Sequence, residues 1–218
     1  MYRVKEAFYT LQGEGAQAGR AAVFCRFSKC NLWTGREKDR ATAVCNFCDT
    51  DFVGTDGQNG GQFADADALA DHIAALWPQD SGRPYVVCTG GEPLLQLDEP
   101  LIAAFHARGF EVGVETNGTL PAPAGIDWLC MSPKADARVV LERCNELKLV
   151  YPQPLALPER FEHIQADHFF LSPMASPTLP EDGPDPVKQS NTRRATEYCL
   201  AHPKWRLTLQ MHKIVGID

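Results

Sequence analysis

Apolar residues gather in short runs along this chain, each bounded by turn residues, a pattern typical of strands buried on both faces. These runs are AAVFCRFS (21–28), YVVC (85–88), FEVGVET (110–116), IDWLC (126–130), ELKLVY (146–151), HFFLS (168–172) and WRLTLQ (205–210). Between several of them, apolar residues recur at helical spacing in DADALADHIAALW (65–77), DEPLIAAFHARG (98–109) and SNTRRATEYCLAHP (190–203). The alternation predicts βαβ units, joined by right-handed crossovers, in a parallel sheet.

The predicted helices have recognisable ends. Leu69, Ile73 and Leu76 share one face of the first helix, Gly109 ends the second, and a Ser or Asn cap at 190–191 begins the third. Other connections are too short or too rich in proline for a helix. A complete eight-unit barrel typically takes about 250 residues, and the chain has 218. We therefore predict one α/β domain, residues 1–218, folded as an abridged parallel (β/α) partial barrel.

Composition and charge narrow the function classes. Hydrophobic content of 44% and charged content of 22% are ordinary for a globular protein. The net charge of -7 would repel a polyanion, so nucleic acid is not expected as a partner. The amino-terminal segment lacks an apolar core of signal-peptide length, and no apolar run approaches the roughly 18 residues that span a membrane. We expect a cytoplasmic protein without a membrane partner.

Polar motifs follow the predicted strands at their carboxyl ends. In chain order they are CTGGEP, ETNGT, SPK, LSPM and QMHK. In a parallel barrel these ends share one rim, where active sites form. Turn chemistry alone does not explain five such motifs, so the sequence predicts an active site on this rim.

Eight cysteines are present, and a reducing cytosol disfavours disulfides. Cys25 and Cys88 lie within apolar runs and are predicted core residues. Cys130, Cys144 and Cys199 stand alone on strand or helix faces, where a structural role is the simpler interpretation.

The remaining three, Cys30, Cys45 and Cys48, have the spacing C-x14-C-x2-C. A structural zinc site is normally closed by four ligands, and the loop of residues 29–60 contains no other Cys and no His. Three thiolates suit a 4Fe-4S cluster with one iron left open for a non-protein ligand. Zinc and incidental thiols stay open as alternatives.

The neighbouring motifs carry a family resemblance. Phe47 before the last cysteine, and GGEP further along, resemble the radical S-adenosylmethionine (SAM) superfamily, whose usual spacing between the first two cysteines is three residues. The longer gap, with TLQGEG, CNLW, GREKDR, CDTDFVGTDG, CTGGEPLLQ, ETNGT, SPK and WRLTLQMHK in order, is similar to the 7-carboxy-7-deazaguanine synthase family, from Phe8 nearly to the carboxyl terminus. The resemblance implies a radical SAM barrel with a modified cluster loop at about 29–60.

The resemblance also implies a reaction. It is a Mg-dependent radical ring contraction of 6-carboxy-5,6,7,8-tetrahydropterin to 7-carboxy-7-deazaguanine, with loss of ammonia, by a carbon–nitrogen lyase of queuosine and related 7-deazapurine biosynthesis. Flavodoxin or ferredoxin as electron donor and a homodimer are further implications. Two alternatives stay open: a radical SAM activase that acts on a protein glycine, and a zinc-stabilised binding module without enzyme activity.

Roles for individual residues follow from the resemblance. The cluster ligands are Cys30, Cys45 and Cys48, and Thr50 is the Mg ligand, with Asp49 and Asp51 as chemical alternatives. The SAM-binding residues are Asn46, Phe47, Cys48, Gly91, Glu115, Ser132, Pro133, Lys134, Ser172, Pro173, Met174 and Ala175. The substrate-binding residues are Leu11, Gln12, Gly13, Glu14, Arg26, Thr89, His212 and, through its main chain, Asp218.

Three positions depart from the family pattern. Lys29 replaces a small residue before the first cysteine, Ser172 replaces a glutamine, and Met211 replaces a small polar residue. Lys29 is expected to alter the electrostatics at the cluster, and Ser172 to remove one hydrogen bond to SAM. Residues 31–44 are predicted to form a folded insert over the cluster. Its GREKDR run is either a docking face for an electron donor or a solvated turn.

Overall fold

The computed structural model describes residues 1–78, 82–177 and 183–217. Within them, one nine-stranded sheet has the order β3-β1-β2-β4-β5-β6-β7-β8-β9. Its strands are β1 (Tyr2–Leu11), β2 (Ala21–Phe27), β3 (Gly61–Phe63), β4 (Tyr85–Gly90), β5 (Glu111–Thr116), β6 (Trp128–Met131), β7 (Arg143–Tyr151), β8 (Gln165–Pro173) and β9 (Arg206–Leu207). From β2 to β9 every pairing is parallel, so the predicted α/β partial barrel is confirmed.

The amino-terminal edge of the sheet differs from the prediction. β1 was not predicted, and it pairs antiparallel with both β2 and β3. An irregularity between Val4 and Glu6 shifts its register. Because of that shift, Val4 and Ala7, three positions apart, are both fully buried. A bulge of this kind interrupts the alternation by which a strand is recognised in a sequence.

The described ranges contain four α-helices: α1 (Ala66–Ala74), α2 (Glu99–Ala107), α3 (Pro186–Ala201) and α4 (Met211–Val215). The first two match the predicted segments, and Gly109 has the positive φ of +79° expected after a helix. The predicted start of the third helix is wrong. Asp185 caps α3 by accepting from the Lys188 N–H, with Pro186 in the first turn, so the helix begins before Ser190.

Side chains of the barrel strands alternate between two faces. On β2, Val23, Cys25 and Phe27 are fully buried against the helical layer, in a core that includes Leu69 of α1 and Phe105 of α2. A second core packs Leu147 and Leu149 of β7 against β8 and α3. The intervening residues face the inside of the barrel, and they supply the side chains of the cavity.

All eight cysteines are free. Cys25 and Cys88 are fully buried, which confirms that they are core residues. Cys130 and Cys144 are also buried, and Cys199 is half-buried on α3. No helix in the described part of the chain has the length and apolar character needed to cross a bilayer.

Candidate functional site

A cavity of about 270 Å³ opens at the carboxyl ends of the parallel strands. Residues from all five polar motifs line it, so the predicted site on one rim is confirmed as a geometric feature. The predicted site residues along its wall are Leu11, Gln12, Gly13, Glu14, Arg26, Cys30, Cys45, Phe47, Cys48, Thr50, Thr89, Gly91, Glu115, Ser132, Lys134, Ser172, Pro173, Met174, Ala175 and His212.

Three predicted residues are not on this wall. The Asn46 side chain is exposed, and its carbonyl accepts from Arg40 at 3.0 Å. Pro133 is held in place through its backbone, because its carbonyl accepts from the buried side chain of Gln153 at 3.3 Å. Asp218 lies outside the described residues.

The three cysteines Cys30, Cys45 and Cys48 line one wall together. The Leu32 N–H donates to Cys30 Sγ at 3.4 Å. The Cys45 thiol donates to Cys48, and this hydrogen bond lowers the pKa of Cys48 to about 6 and raises that of Cys45. Thiolates are the metal-binding form of cysteine, so the donor set suits iron.

The cysteines do not converge on one point. Among the described residues, no three His, Cys, Asp or Glu side chains are grouped as ligands of a single metal ion. A closed mononuclear zinc site needs four such ligands about one centre. An iron–sulfur cluster instead spreads its thiolates over separate irons, and that arrangement agrees better with the three cysteines on the cavity wall.

The insert of residues 31–44 contains a short 3-10 helix, Glu37–Thr42. Arg40, the last residue of GREKDR, pairs with Glu37 at 2.8 Å and lies over the Trp33 ring at 4.3 Å. It also donates to the carbonyls of Asn46 and Cys48, at 3.0 and 2.9 Å. GREKDR is therefore more than a solvated turn, because its arginine fixes the backbone that carries the last cysteine.

The GGEP turn supports the first cysteine from the barrel side. A Cβ on Gly91 would lie 2.3 Å from the Lys29 carbonyl oxygen and 2.7 Å from Cys30 Cβ. The Glu92 N–H donates to that same carbonyl at 3.0 Å. Because Gly91 has no side chain, the GGEP turn can lie directly against the backbone at Lys29 and Cys30. This close contact within the protein is additional to any close approach by a ligand.

Glu92 itself is fully buried. Its carboxylate accepts from the Thr116 hydroxyl at 2.7 Å, the Asn117 N–H at 2.8 Å and the Leu94 N–H at 3.0 Å. Burial raises the pKa of Glu92, and these three donors oppose the rise. This carboxylate joins the GGEP and ETNGT turns, so it is structural.

The opposite wall is built around a lysine that sequence analysis missed. Lys148 of β7 is only 5% exposed, and its Nζ pairs with Glu14 at 2.8 Å and Glu115 at 3.4 Å. Gln12 donates to the same Glu115 at 3.0 Å. Burial alone lowers the pKa of Lys148, but the surrounding acidic groups raise it well above its ordinary value, so it stays charged.

A sequence signal for Lys148 was available. The run ELKLVY was interpreted as a strand apolar on both faces. Its Leu147 and Leu149 are fully buried in the helical core, and alternation places Lys148 and Val150 on the cavity wall. A charged residue between two core leucines indicates a strand with one polar face.

Arg26 and Thr89 are register partners on the adjacent parallel strands β2 and β4. Arg26 Nε donates to Glu6 at 2.7 Å, so the guanidinium has a salt bridge within the protein. Its side chain nevertheless lines the cavity. A guanidinium has five N–H donors, so an ion pair through Nε is compatible with a second, forked contact to a bound carboxylate.

The CDTD segment separates its three candidate Mg ligands. Thr50 and Asp49 line the cavity, whereas Asp51 is not on its wall and pairs with Lys5 at 2.9 Å. Asp49 pairs with Lys213 of α4 at 2.8 Å. Burial raises the pKa of Asp49, but the Lys213 ammonium outweighs it and the pKa is lowered overall.

The QMHK motif near the carboxyl terminus contacts the TLQGEG segment near the amino terminus. The Met211 N–H donates to the Gly13 carbonyl at 3.0 Å. The His212 ring packs so closely against Gly13 that a Cβ added to this glycine would lie 2.0 Å from His212 Nδ1. Burial lowers the pKa of His212, which keeps the imidazole neutral near pH 7. Together with the Lys213–Asp49 pair, these contacts bring α4 between the two walls.

Hydrogen bonds hold the remaining cavity segments in place. Lys134 Nζ donates to the Ser132 carbonyl at 2.9 Å, and the Ala135 N–H donates to the buried Gln153 at 2.9 Å. On the far side, Asn191 of α3 donates to the Met174 carbonyl at 2.8 Å. The SPK and SPM segments are therefore fixed by buried amides.

Comparisons with known proteins follow this geometry. The profile of the radical SAM superfamily matches residues 40–160. A 7-carboxy-7-deazaguanine synthase of Bordetella pertussis is 65% identical over 216 residues, and the alignment covers 99% of each chain. One of Caulobacter vibrioides is 61% identical, again over 99% of each chain. The crystal structure of QueE from Escherichia coli is 27% identical with a TM-score of 0.71, covering 97% of this chain and 94% of that chain.

Proposed function

The chain belongs to the 7-carboxy-7-deazaguanine synthase family within the radical SAM superfamily, and from that membership we propose that it makes 7-carboxy-7-deazaguanine. The substrate is 6-carboxy-5,6,7,8-tetrahydropterin, the reaction is a ring contraction with loss of ammonia, and the pathway is queuosine biosynthesis. One observation carries the proposal. A single cavity has three cysteines on one wall and a buried lysine–carboxylate network on the other.

The cysteine wall holds the 4Fe-4S cluster through Cys30, Cys45 and Cys48. When bound, the cluster and SAM supply a carbon-centred radical that removes a hydrogen atom from the substrate. The chain keeps water away from that reaction with aromatic side chains that line the cavity, among them Phe24, Phe47 and Phe52.

The SAM contacts come from the turns that the buried amides fix. Phe47 lines the cavity beside the cysteines, and the Gly91 backbone, Ser132 and Lys134 lie at the neighbouring strand ends. The segment 172–175 completes this set, with Asn46 and Pro133 acting through their backbones. Ser172, where we propose that one hydrogen bond to SAM is lost, is the first residue of this segment.

The substrate contacts lie mainly on the lysine wall. Gln12 and Glu14 offer acceptors and donors to the edge of a pterin ring, and Thr89 and His212 extend this polar lining. Arg26 is suited to the substrate carboxylate. Lys148 pairs with Glu14, a proposed substrate contact, and with Glu115, a proposed SAM contact, so it orients both carboxylates. Asp218 stays a proposed main-chain contact.

Magnesium is part of the proposal, with Thr50 as its ligand. Mg²⁺ usually takes few protein ligands and keeps waters or substrate oxygens in its remaining positions. Thr50 and Asp49 both line the cavity. Asp51 is the least favoured of the three candidate Mg ligands, because it pairs with Lys5. Flavodoxin or ferredoxin as reductant, a homodimer, and a cytoplasmic location complete the proposal.

The test is an anaerobic assay of cluster-loaded protein with a reductant, SAM, Mg²⁺ and the carboxytetrahydropterin. We expect a deazapurine product detected by mass spectrometry and an equal amount of ammonia. Because the substrate less ammonia has the composition of the product, the abstracted hydrogen atom must return, so 5′-deoxyadenosine should not accumulate in proportion to product. Omitting Mg²⁺ tests the metal separately. SAM cleavage without a deazapurine would contradict the proposed substrate, and purified protein that contains zinc but neither iron nor sulfide would contradict the radical mechanism.

A further inference from the structure

Trp33 carries a polar atom for which the described part of the chain provides no partner. The side chain is 8% exposed, and its Nε1 is buried without a hydrogen-bond acceptor among the described residues. No other fully buried side-chain nitrogen or oxygen in the described ranges is left unpaired. Leaving a donor in this state is unfavourable, because its hydration is lost and no protein acceptor replaces it. An indole N–H so placed therefore suggests a ligand that is bound there.

The other contacts of the ring explain its position but not the N–H. Arg40 lies over the ring at 4.3 Å, and Phe52 packs edge-on with ring centroids 5.7 Å apart. A guanidinium has no acceptor atom, and the hydrocarbon ring of Phe52 offers no conventional one.

The residues around Trp33 indicate which kind of atom accepts from its indole N–H. Trp33 lines the cavity wall together with Cys30 and Cys45. The preceding residue, Leu32, already directs its backbone N–H at Cys30 Sγ, at 3.4 Å. Sulfur is therefore the acceptor next to this turn.

We propose that Trp33 donates its indole N–H to a sulfur of the bound cluster and thereby sets the reduction potential of the cluster. The inference rests on the proposed function, because it requires the cluster. A reduced cluster carries one more negative charge, so a donor to its sulfur stabilises the reduced form. In a water-poor site such a hydrogen bond is stronger than in solution. Trp33 is accordingly a positioning residue that acts through the cofactor.

The test compares three proteins with reconstituted clusters. Trp33→Phe keeps an aromatic ring beneath Arg40 and removes the N–H. Replacing Trp33 with 3-benzothienylalanine keeps the bicyclic shape and removes only the N–H. The matched control is Trp205→Phe, a tryptophan that is 7% exposed and packs edge-on against Phe169 in the second core.

Redox titration followed by electron paramagnetic resonance gives the decisive readout. We expect both Trp33 variants to need a lower potential, with the ratio of reduced to oxidised cluster at a fixed potential falling about tenfold, equivalent to about 59 mV for one electron. An exchangeable proton coupled to the reduced cluster should disappear in the same two variants. Trp205→Phe should match the wild type in both measurements.

The outcomes separate this inference from the proposed function. Wild-type protein that binds no cluster would contradict the proposed function. A wild-type cluster whose potential and exchangeable proton are unchanged in the benzothienylalanine variant would overturn the inference alone, and Trp33 would then be a packing residue. If Trp33→Phe fails to hold the cluster, the benzothienylalanine variant, which preserves the packing, decides the question.

Discussion

The two walls of the cavity are built in different ways. On the lysine wall, charged side chains project from rigid strands and satisfy one another, with Lys148 between Glu14 and Glu115. On the cysteine wall, a largely exposed insert is held by contacts of Arg40 to backbone carbonyls and to Trp33. The first wall is complete in the protein itself. The second has an indole N–H, that of Trp33, with no acceptor among the described residues.

This difference separates what folding alone determines from what cofactor binding determines. The lysine wall, the proposed substrate side, is preorganised by folding, because strand alternation and buried ion pairs determine it. We expect the cysteine wall, the proposed cofactor side, to gain further order when the cluster binds, because metal binding and local folding are coupled. Substitutions on the two walls should therefore separate stability of the barrel from retention of the cluster.

The largest effect is expected from the cysteine wall. Cys30→Ala removes one thiolate, so we expect loss of the cluster and no turnover above background, with the unfolding free energy of the cluster-free barrel nearly unchanged. Iron and sulfide analysis with chemical denaturation measures both. Cys199→Ala on α3 is the control and should retain cluster and activity. A Cys30→Ala protein with full iron content would break the comparison.

The lysine wall should show the opposite behaviour. Lys148→Met leaves Glu14 and Glu115 without their cation, so we expect the unfolding free energy to fall by about 3 kcal/mol, measured in urea. The exposed Lys38→Met serves as control and should change it by less than about 0.5 kcal/mol. Adding Glu14→Gln and Glu115→Gln to Lys148→Met should restore part of the loss. No change in the single variant would mean that the network is not buried in solution.

A smaller effect is expected at the support of the insert. Arg40→Met removes the contacts to the Asn46 and Cys48 carbonyls, and loss of such outer contacts typically costs 10–100-fold in metal affinity. We expect about a tenfold faster loss of iron to a chelator, with barrel stability altered by less than about 1 kcal/mol. Arg36→Met in the same insert is the matched control. Equal iron loss in both variants would rule out a specific role for Arg40.

The smallest effect concerns Lys29. Its φ of +77° lies in the left-handed region that favours glycine. This backbone requirement accounts for a small residue before the first cysteine in the family pattern. We expect Lys29→Gly to raise the unfolding free energy by at most about 1 kcal/mol, with Lys38→Gly, which has no such requirement, lowering it. A destabilised Lys29→Gly would show that its side chain has a role of its own.

Sequence analysis was most successful where one local rule acted alone. The parallel strands, the polar motifs at their carboxyl ends and the core cysteines Cys25 and Cys88 follow from hydrophobic pattern and topology. The failures occurred where two rules overlapped. β1 was missed because its bulge shifts the alternation, and the start of α3 was misplaced because Asp185 and Pro186 stand within a proline-rich segment.

The site was predictable in its members but not in its connections. Family resemblance identified most of the cavity lining, yet Lys148, Trp33 and Arg40 received no individual role. Lys148 pairs with residues far away in the sequence, Arg40 contacts backbone carbonyls, and Trp33 is proposed to act through the cofactor. None of these partners can be read from spacing. The roles of the residues that were predicted remain proposals for the experiments above.

The ends of the cysteine loop have a consequence for how this enzyme can evolve. The loop leaves the sheet at the end of β2 and returns at β3, and both of these strands pair with β1. Because the sheet holds both ends, the loop that is closed is the whole segment of residues 28–60. Adding eleven residues to such a loop, from about 22 to 33, costs only about 0.4 kcal/mol in loop-closure entropy. Insertions here are therefore inexpensive to the fold. New surfaces beside a cluster can arise by natural variation while the barrel and its substrate wall are conserved.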